Sequence, residues 1–322
     1  MNDVEVVPRI SVCICTRNRP AELTLALRSL ERSSVAIDDI VVSDDGTDDR
    51  SRELVSRAFP NVRYVEGPRR GLCANRNVAA AAANGTHVLF IDDDARLGET
   101  FVARALEALE RSTESERSRT IVTGVEINYG IAVFPKEQNF LGYQQRPYAI
   151  GESLRTIVIN CTLFPIEAVR AFRFDEHLVY GYDEVDFATR ATAAGYRIVL
   201  APEARSEHFP ANANRDYYRP FIDASRLYVT FKRYRSTDDR PIAALFYAVL
   251  APLHLFAHRL LRGGFASVGG TLKTLETAKG YVAHEASSRR VLRRGFGRGL
   301  AEFAPKNLAH ETNVVGANHQ TR

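Results

Sequence analysis

The stretch Val88-Leu89-Phe90-Ile91-Asp92-Asp93-Asp94-Ala95 decides how this chain is read. Four apolar residues run directly into three consecutive carboxylates. Adjacent aspartates repel one another, and Asp disfavours strands. The run therefore predicts a buried strand that ends at a charged tip, and a cation would relieve the crowding there. Hard oxygen donors suit Mg2+ or Mn2+, which take one or two carboxylates and leave room for substrate phosphates. Turn and N-cap positions also collect Asp, so the triplet alone fits a structural role as well.

Working outward, short β-branched runs alternate with helical stretches. Ile10–Cys15, Ile40–Ser43 and Val62–Val65 read as strands. Pro20–Leu30, Asp48–Phe59 and Ala74–Asn84 read as the helices after them, with Pro20 near a first turn. One helix between successive strands implies βαβ units, a parallel sheet and a doubly wound α/β architecture. Ligands then bind beyond the carboxyl ends of the strands. Thr16-Arg17-Asn18-Arg19, Asp44-Asp45-Gly46-Thr47 and Asp92–Asp94 all stand at such ends. Further on, Thr120–Ile127, Arg155–Leu163 and Tyr196–Leu200 are strand-like, Glu184–Ala194 is helical, and 129–150 reads as loop.

Composition is that of a soluble globular chain, with 45% hydrophobic and 25% charged residues. MNDVEVVPRI lacks a basic segment followed by an apolar one, so no secretory signal is expected and a cytoplasmic location is. Cys13, Cys15, Cys73 and Cys161 have no C-x-x-C spacing and read as buried thiols. The net charge of +4 conceals an asymmetry. Residues 215–322 hold 18 Lys and Arg against 8 Asp and Glu, while 1–214 hold 25 against 31. A basic tail goes with anionic surfaces, lipid or nucleic acid, but no nucleic-acid-binding module is legible.

Taken in order, SVCICTRNRP, IVVSDDGTDD, GLCANRNVAAAAANGTHVLFIDDDA and FRFDEHLVYGYDEVDFATRATAAGYRIVLAPEARSEH resemble a family 2 glycosyltransferase of the GT-A fold, over about residues 8–210. The resemblance implies a Rossmann-like, mostly parallel central sheet flanked by helices, and an inverting, metal-dependent transfer from a nucleotide-sugar. It implies Thr16 beside the nucleotide base, and Asp45 accepting from the N3–H of uracil or thymine. Arg76 would lie near base or diphosphate, Asp94 would bind metal, and Asp92 and Asp93 would face ribose and donor sugar. His208 would be a further metal ligand, and Asn160 would lie on the acceptor side. Asp44 reads as a turn cap. Tyr143, Tyr148 and Tyr182 are candidates for stacking on sugar rings.

Inverting transfer needs one general base. Where the family writes G-E-D-x-D, this chain has Asp183-Glu184-Val185-Asp186. The register puts Glu184 in the base position, with Asp183 as rival and Asp186 pairing Arg190 at i, i+4. The alternatives are a nucleotidyltransferase making nucleotide-sugars, although CTRNRP lacks the Gly-rich loop, and an inactive sugar-nucleotide binder.

The expected division is a transferase domain at 1–212 and a basic helical C-terminal extension at 213–322 whose last dozen residues are disordered. Within the extension, 242–261 is a mostly apolar run of membrane-span length with Ile242, Leu245, Val249, Leu253, Phe256 and Leu260 at helical spacing. Lys232–Arg235, Arg289-Arg290 and Arg293-Arg294 flank it. An interfacial helix on anionic lipid, a packed core or dimer helix and a true span are all compatible with that pattern.

Overall fold

The structure, a computed structural model, describes residues 8–210 and 215–299, with side chains for 8–210 and 218–285. The first part alternates as its sequence dictates: β1 (Ile10–Thr16), α1 (Pro20–Leu30), β2 (Asp39–Asp44), α2 (Arg50–Ala58), β3 (Arg63–Glu66), α3 (Leu72–Ala82) and β4 (His87–Asp92). Pro20 sits in the first turn of α1, where its missing N–H costs nothing. β1 is buried along its whole length and β4 up to Asp92. A parallel sheet covered on both faces produces such continuous apolar runs instead of alternation.

Next come β5 (Ala95–Leu97), α4 (Phe101–Glu110), α5 (Glu114–Arg117), β6 (Thr120–Asn128), β7 (Ile131–Val133), β8 (Lys136–Gln138), β9 (Gln144–Pro147), β10 (Thr162–Pro165), α6 (Ile166–Phe172), α7 (Asp183–Ala193) and β11 (Arg197–His208). The main sheet runs β3-β2-β1-β4-β10-β6-β11-β5, with β7 on β6. β10 is antiparallel to both its neighbours, so the sheet is mixed but mostly parallel. Three details depart from the sequence reading. The strand expected at Arg155–Leu163 starts only at Thr162, after a 3-10 turn at Ile159–Cys161. There the Asn160 side chain leaves the ladder to bond Asp92 and Glu126. The loop at 129–150 holds β7 and the β8–β9 hairpin. The late strand continues through a bulge between Leu200 and Arg205 to His208. At the bulge Gly124 faces Ala204, whose carbonyl oxygen would lie 2.1 Å from any Cβ. Only glycine allows that approach.

The helical part comprises α8 (Arg215–Lys232), a π-helical turn (Arg233–Thr237), α9 (Pro241–Gly263), a 3-10 turn (Gly264–Ser267) and α10 (Val268–Gly299). One compact unit ends at Tyr281, and Val282 onward forms a second. The end of α8 is fastened by a buried ammonium: Lys232 Nζ stands 2.7 Å from Asp175 and 2.8 Å from Asp186. Burial works against the Asp175 carboxylate, but Lys232, Tyr228 and the His177 backbone N–H hold its pKa well below the usual range. The basic cluster expected to flank the apolar run therefore faces inward in part. Lys232 is spent on two carboxylates, Arg233 bonds Asp238 and Gln138, and Arg235 is the exposed member. The side chains of Arg289, Arg290, Arg293 and Arg294, and the final dozen residues, lie outside the described residues.

Candidate active site

Strand pairing assembles the rim. In the parallel register Thr16 lies opposite Asp44, and Cys15 opposite Asp92, so the ends of β1, β2 and β4 are level. β11 returns antiparallel to β5 with His208 opposite Ala95, which delivers the imidazole beside Asp94. Asp92, Asp94 and His208 each offer one ligand atom, and these atoms lie within 4.8 Å of one another. Among the described residues this is the only such group.

His208 Nε2 lies 3.2 Å from Asp94 Oδ1, and Nδ1 lies 3.1 Å from Glu126 Oε1. Burial opposes its charge, but the two carboxylates override that and push its pKa up to about 10. Burial likewise opposes the Asp94 carboxylate, and His208 and Arg19 together hold it below the ordinary range. Asp93 turns away from the group. It accepts from the Thr16 hydroxyl at 2.8 Å and from Arg19 Nη1 at 2.6 Å. Its burial, only partly offset by Arg19 and Thr16, pushes it up to about 7. Two carboxylates and an imidazole form a donor set that fits Mg2+ or Mn2+. The outer carboxylate on Nδ1, which aims Nε2 into the group, fits a metal-binding histidine.

A chain of hydrogen bonds backs this group. The Asp92 backbone N–H donates to Asn160 Oδ1 at 2.8 Å, and Asn160 Nδ2 donates to Glu126 Oε2 at 2.9 Å. Glu126 then reaches His208. Asn160, expected on the acceptor side, thus belongs to the frame behind the aspartates. Sequence reasoning missed Glu126 and Arg19. Glu126 carries no local signal, since its partner is 82 residues away and meets it only through the parallel pairing of β6 with β11.

Arg76 ties this rim to α7. It is fully buried, donating from Nη2 to Asp92 at 2.9 Å and from Nη1 to Asp183. The arginine expected near base or diphosphate is therefore a bridge between two carboxylates. Its neighbour Glu184 is partly exposed and lines a cleft of about 350 Å3 with Tyr143, Gln144, Tyr180, Tyr182 and Ile222. Gln144 Nε2 donates to Glu184 Oε1 at 3.3 Å. Desolvation by the cleft walls, and next the Asp183 charge, push the Glu184 carboxyl up to about 8. Asp186 pairs with Arg190 at 2.7 Å, as the i, i+4 spacing predicts. Tyr148 stands apart from the cleft, its hydroxyl 3.1 Å from that of Thr156.

At the opposite end, Asp44 caps its own turn by accepting from the Gly46 N–H at 2.7 Å. Asp45 is buried and accepts backbone N–H groups of Arg69 (2.8 Å) and Gly71 (3.3 Å). Gly67 makes room for it: a Cβ there would stand 2.2 Å from Asp45 Oδ1.

Comparison with known proteins agrees with this layout. The succinoglycan biosynthesis protein ExoM of Rhizobium meliloti is 26% identical over 237 residues, 70% of this chain and 72% of that protein. The mannosyltransferase PcManGT from Pyrobaculum calidifontis, in complex with GDP-Man and Mn2+, superposes with a TM-score of 0.55 at 19% identity, covering 91% of this chain and 81% of that one. GalNAc-T7 with UDP, GalNAc and Mn2+ gives 0.60 at 14% identity, covering 74% and 52%. These likenesses identify the fold as GT-A. The first curated relatives are matched over only about a third to two fifths of their length (40%, 31% and 32%). Residues 11–170 match the model described as glycosyl transferase family 2, and through this sheet domain the chain belongs to that family.

Proposed function

We propose that this chain moves a sugar, with inversion, from a UDP- or dTDP-sugar to a cell-surface glycan or lipid-linked acceptor. The observation that carries the reading is the division of labour between adjacent carboxylates: Asp183 is consumed by buried Arg76, while Glu184 faces the cleft. Glu184 takes the proton of the acceptor hydroxyl, and the oxygen attacks the anomeric carbon as the nucleoside diphosphate leaves from the opposite face. A carboxyl pushed up by its surroundings is suited to accept that proton near neutral pH. Asp92, Asp94 and His208 would hold a divalent cation, which supplies charge compensation for the departing diphosphate. Asp45, behind Thr16, accepts from the base, while Asp93, held by Thr16 and Arg19, braces the rim beside the cation site. Tyr143, Tyr180 and Tyr182 offer ring faces to the acceptor.

The name of the Rhizobium relative supports a polysaccharide pathway, and the Mn2+ of both structural neighbours supports a metal. Residues 1–212 are the transferase domain. The helices after it, Arg215 to Gly299 among the described residues, keep it on the cytoplasmic side, at the inner face of the plasma membrane.

The test is a thermal-shift screen of UDP-, dTDP- and GDP-sugars with Mn2+ or Mg2+. A ligand at a hundred times its Kd adds about 2.7 kcal/mol to the native state. UDP or dTDP donors with metal should raise Tm, and Asp94→Ala should remove the metal-dependent part. A response to GDP donors alone would overturn the base assignment, and a metal response that survives Asp94→Ala would overturn the ligand set.

A further inference from the structure

α9 inverts the usual amphipathic arrangement. Small or aromatic residues, Ala244, Tyr247 and Ala251, face the domain together with Leu255. The large aliphatic side chains point outward: Ile242 is 71% exposed, Leu245 69% and Leu253 60%, with Phe246, Val249 and Leu250 between them. A groove of about 610 Å3 between Phe140 and the start of the helix continues this strip at one end. Leu261 and Phe265 continue it at the other. A contiguous apolar surface of this kind marks an interaction site.

Charge selects the occupant. From Arg240 to Leu275 the chain carries no Asp or Glu, and Arg240, Arg262 and Lys273 are exposed. Apolar side chains flanked by these cations, with Asp239 the one carboxylate lining the groove, complement an anionic lipid surface better than a typical protein face. By length and composition the helix could cross a membrane. Its inner face is already committed, however: it packs on α8, and Arg259 Nη2 donates to Asp223 at 2.6 Å. Lipid can reach one side only.

We propose that α9 lays the chain flat on an anionic bilayer surface, and that this docking brings the mouth of the Glu184 cleft to the plane where a lipid-linked acceptor presents its sugar. The second half rests on the acceptor reading of that cleft. Cleft and lipid face share a wall. The Tyr143 ring lines the cleft, rides 4.0 Å over the Arg226 guanidinium and meets His254, the residue after Leu253, at 6.0 Å between ring centres. Phe140 lines the groove and meets Tyr247 of α9 at 6.1 Å.

The experiment sediments the full chain with phosphatidylcholine vesicles, with and without phosphatidylglycerol, and reads the Tm response to UDP with Mn2+ on the same samples. Phosphatidylglycerol should raise the bound fraction by about tenfold at low salt, and added salt should reverse this. The pair Leu245→Glu and Leu253→Glu should abolish binding and leave the UDP response intact. Alkaline carbonate should strip the protein from membranes. No affinity for the anionic vesicles, binding indifferent to the double substitution, or resistance to carbonate would each overturn the docking. So would a dimer in light scattering that the same substitutions dissociate. Docking without any response to UDP would leave the surface assignment standing and overturn the donor reading on which the second half rests.

Discussion

The rim of carboxylates at the ends of β1, β2 and β4 is held by backbone pairing, whereas the wall of Tyr143, Gln144 and Glu184 is held by side chains. On the rim, Thr16, Asp44 and Asp92 are level because three parallel strands are in register. On the wall, Gly142 and its neighbours are clasped from elsewhere: Tyr182 and Gln138 donate to the Gly142 carbonyl, and Arg226 donates to that of Leu141. A ladder shared by many residues tolerates loss of one partner. A clasp of single hydrogen bonds does not, so perturbations of the helical part should appear on the wall before they reach the rim.

Where the two regions meet, they use neighbouring residues for opposite purposes, and the largest expected effects lie there. Glu184→Gln should lower kcat by roughly a thousandfold with donor affinity and Tm nearly unchanged, because a general base is worth that much. Asp183→Asn should do the reverse. It leaves Arg76 buried with one charged partner fewer, and breaking a buried pair costs about 3 kcal/mol or more. Its signature is therefore a fall in Tm. If Asp183→Asn instead loses turnover at full stability, the two assignments exchange places. Wild-type kcat should also climb with pH and level off above about 8, because the base works deprotonated and burial has raised its carboxyl. The Gln variant should lose that limb.

A smaller effect tests the rim alone. Glu126→Gln removes one of the two carboxylates that keep the proton on His208. Metal must displace that proton, so Mn2+ binding strengthens as pH rises through the His208 value. With the carboxylate gone the value drops, and the pH dependence of Mn2+ binding should move downward. The limiting affinity should weaken about tenfold, since the imidazole is less well aimed and less basic. Mn2+ titrations followed by electron paramagnetic resonance separate the two. A packing role for Glu126 would move neither.

The same contrast explains what the sequence reveals. The rim is written locally: an apolar strand followed by a polar turn appears in ISVCICTRN, IVVSDDGT and VLFIDDDA, and the α/β layering follows from their spacing. Asp94 and His208 lie together, as the resemblance implied, and Asp92, which it placed towards ribose and sugar, joins them. Arg19 and Glu126 escaped notice because their meaning depends on which strands pair. Gln144 escaped for a stronger reason. It sits in a two-stranded hairpin outside the main sheet, and nothing in FLGYQQRP specifies that one amide will reach α7. The apolar run at 242–261 was legible as a helix but not in orientation, since periodicity gives a stripe without saying which side faces protein.

Gln144→Ala is the smallest perturbation and the one most specific to the wall. The amide N–H donates to the Glu184 carboxylate, which favours the charged form. Without it the base holds its proton more tightly, so the rising limb of the kcat profile should move to higher pH. Below that limb the rate should fall by roughly threefold, the equivalent of about half a pKa unit. Above it the rate should return to the wild-type plateau. A uniform loss at every pH would mean that Gln144 touches the acceptor directly. No change at any pH would mean that the base is set by Asp183 and burial alone, and that the hairpin does no more than shape the cleft.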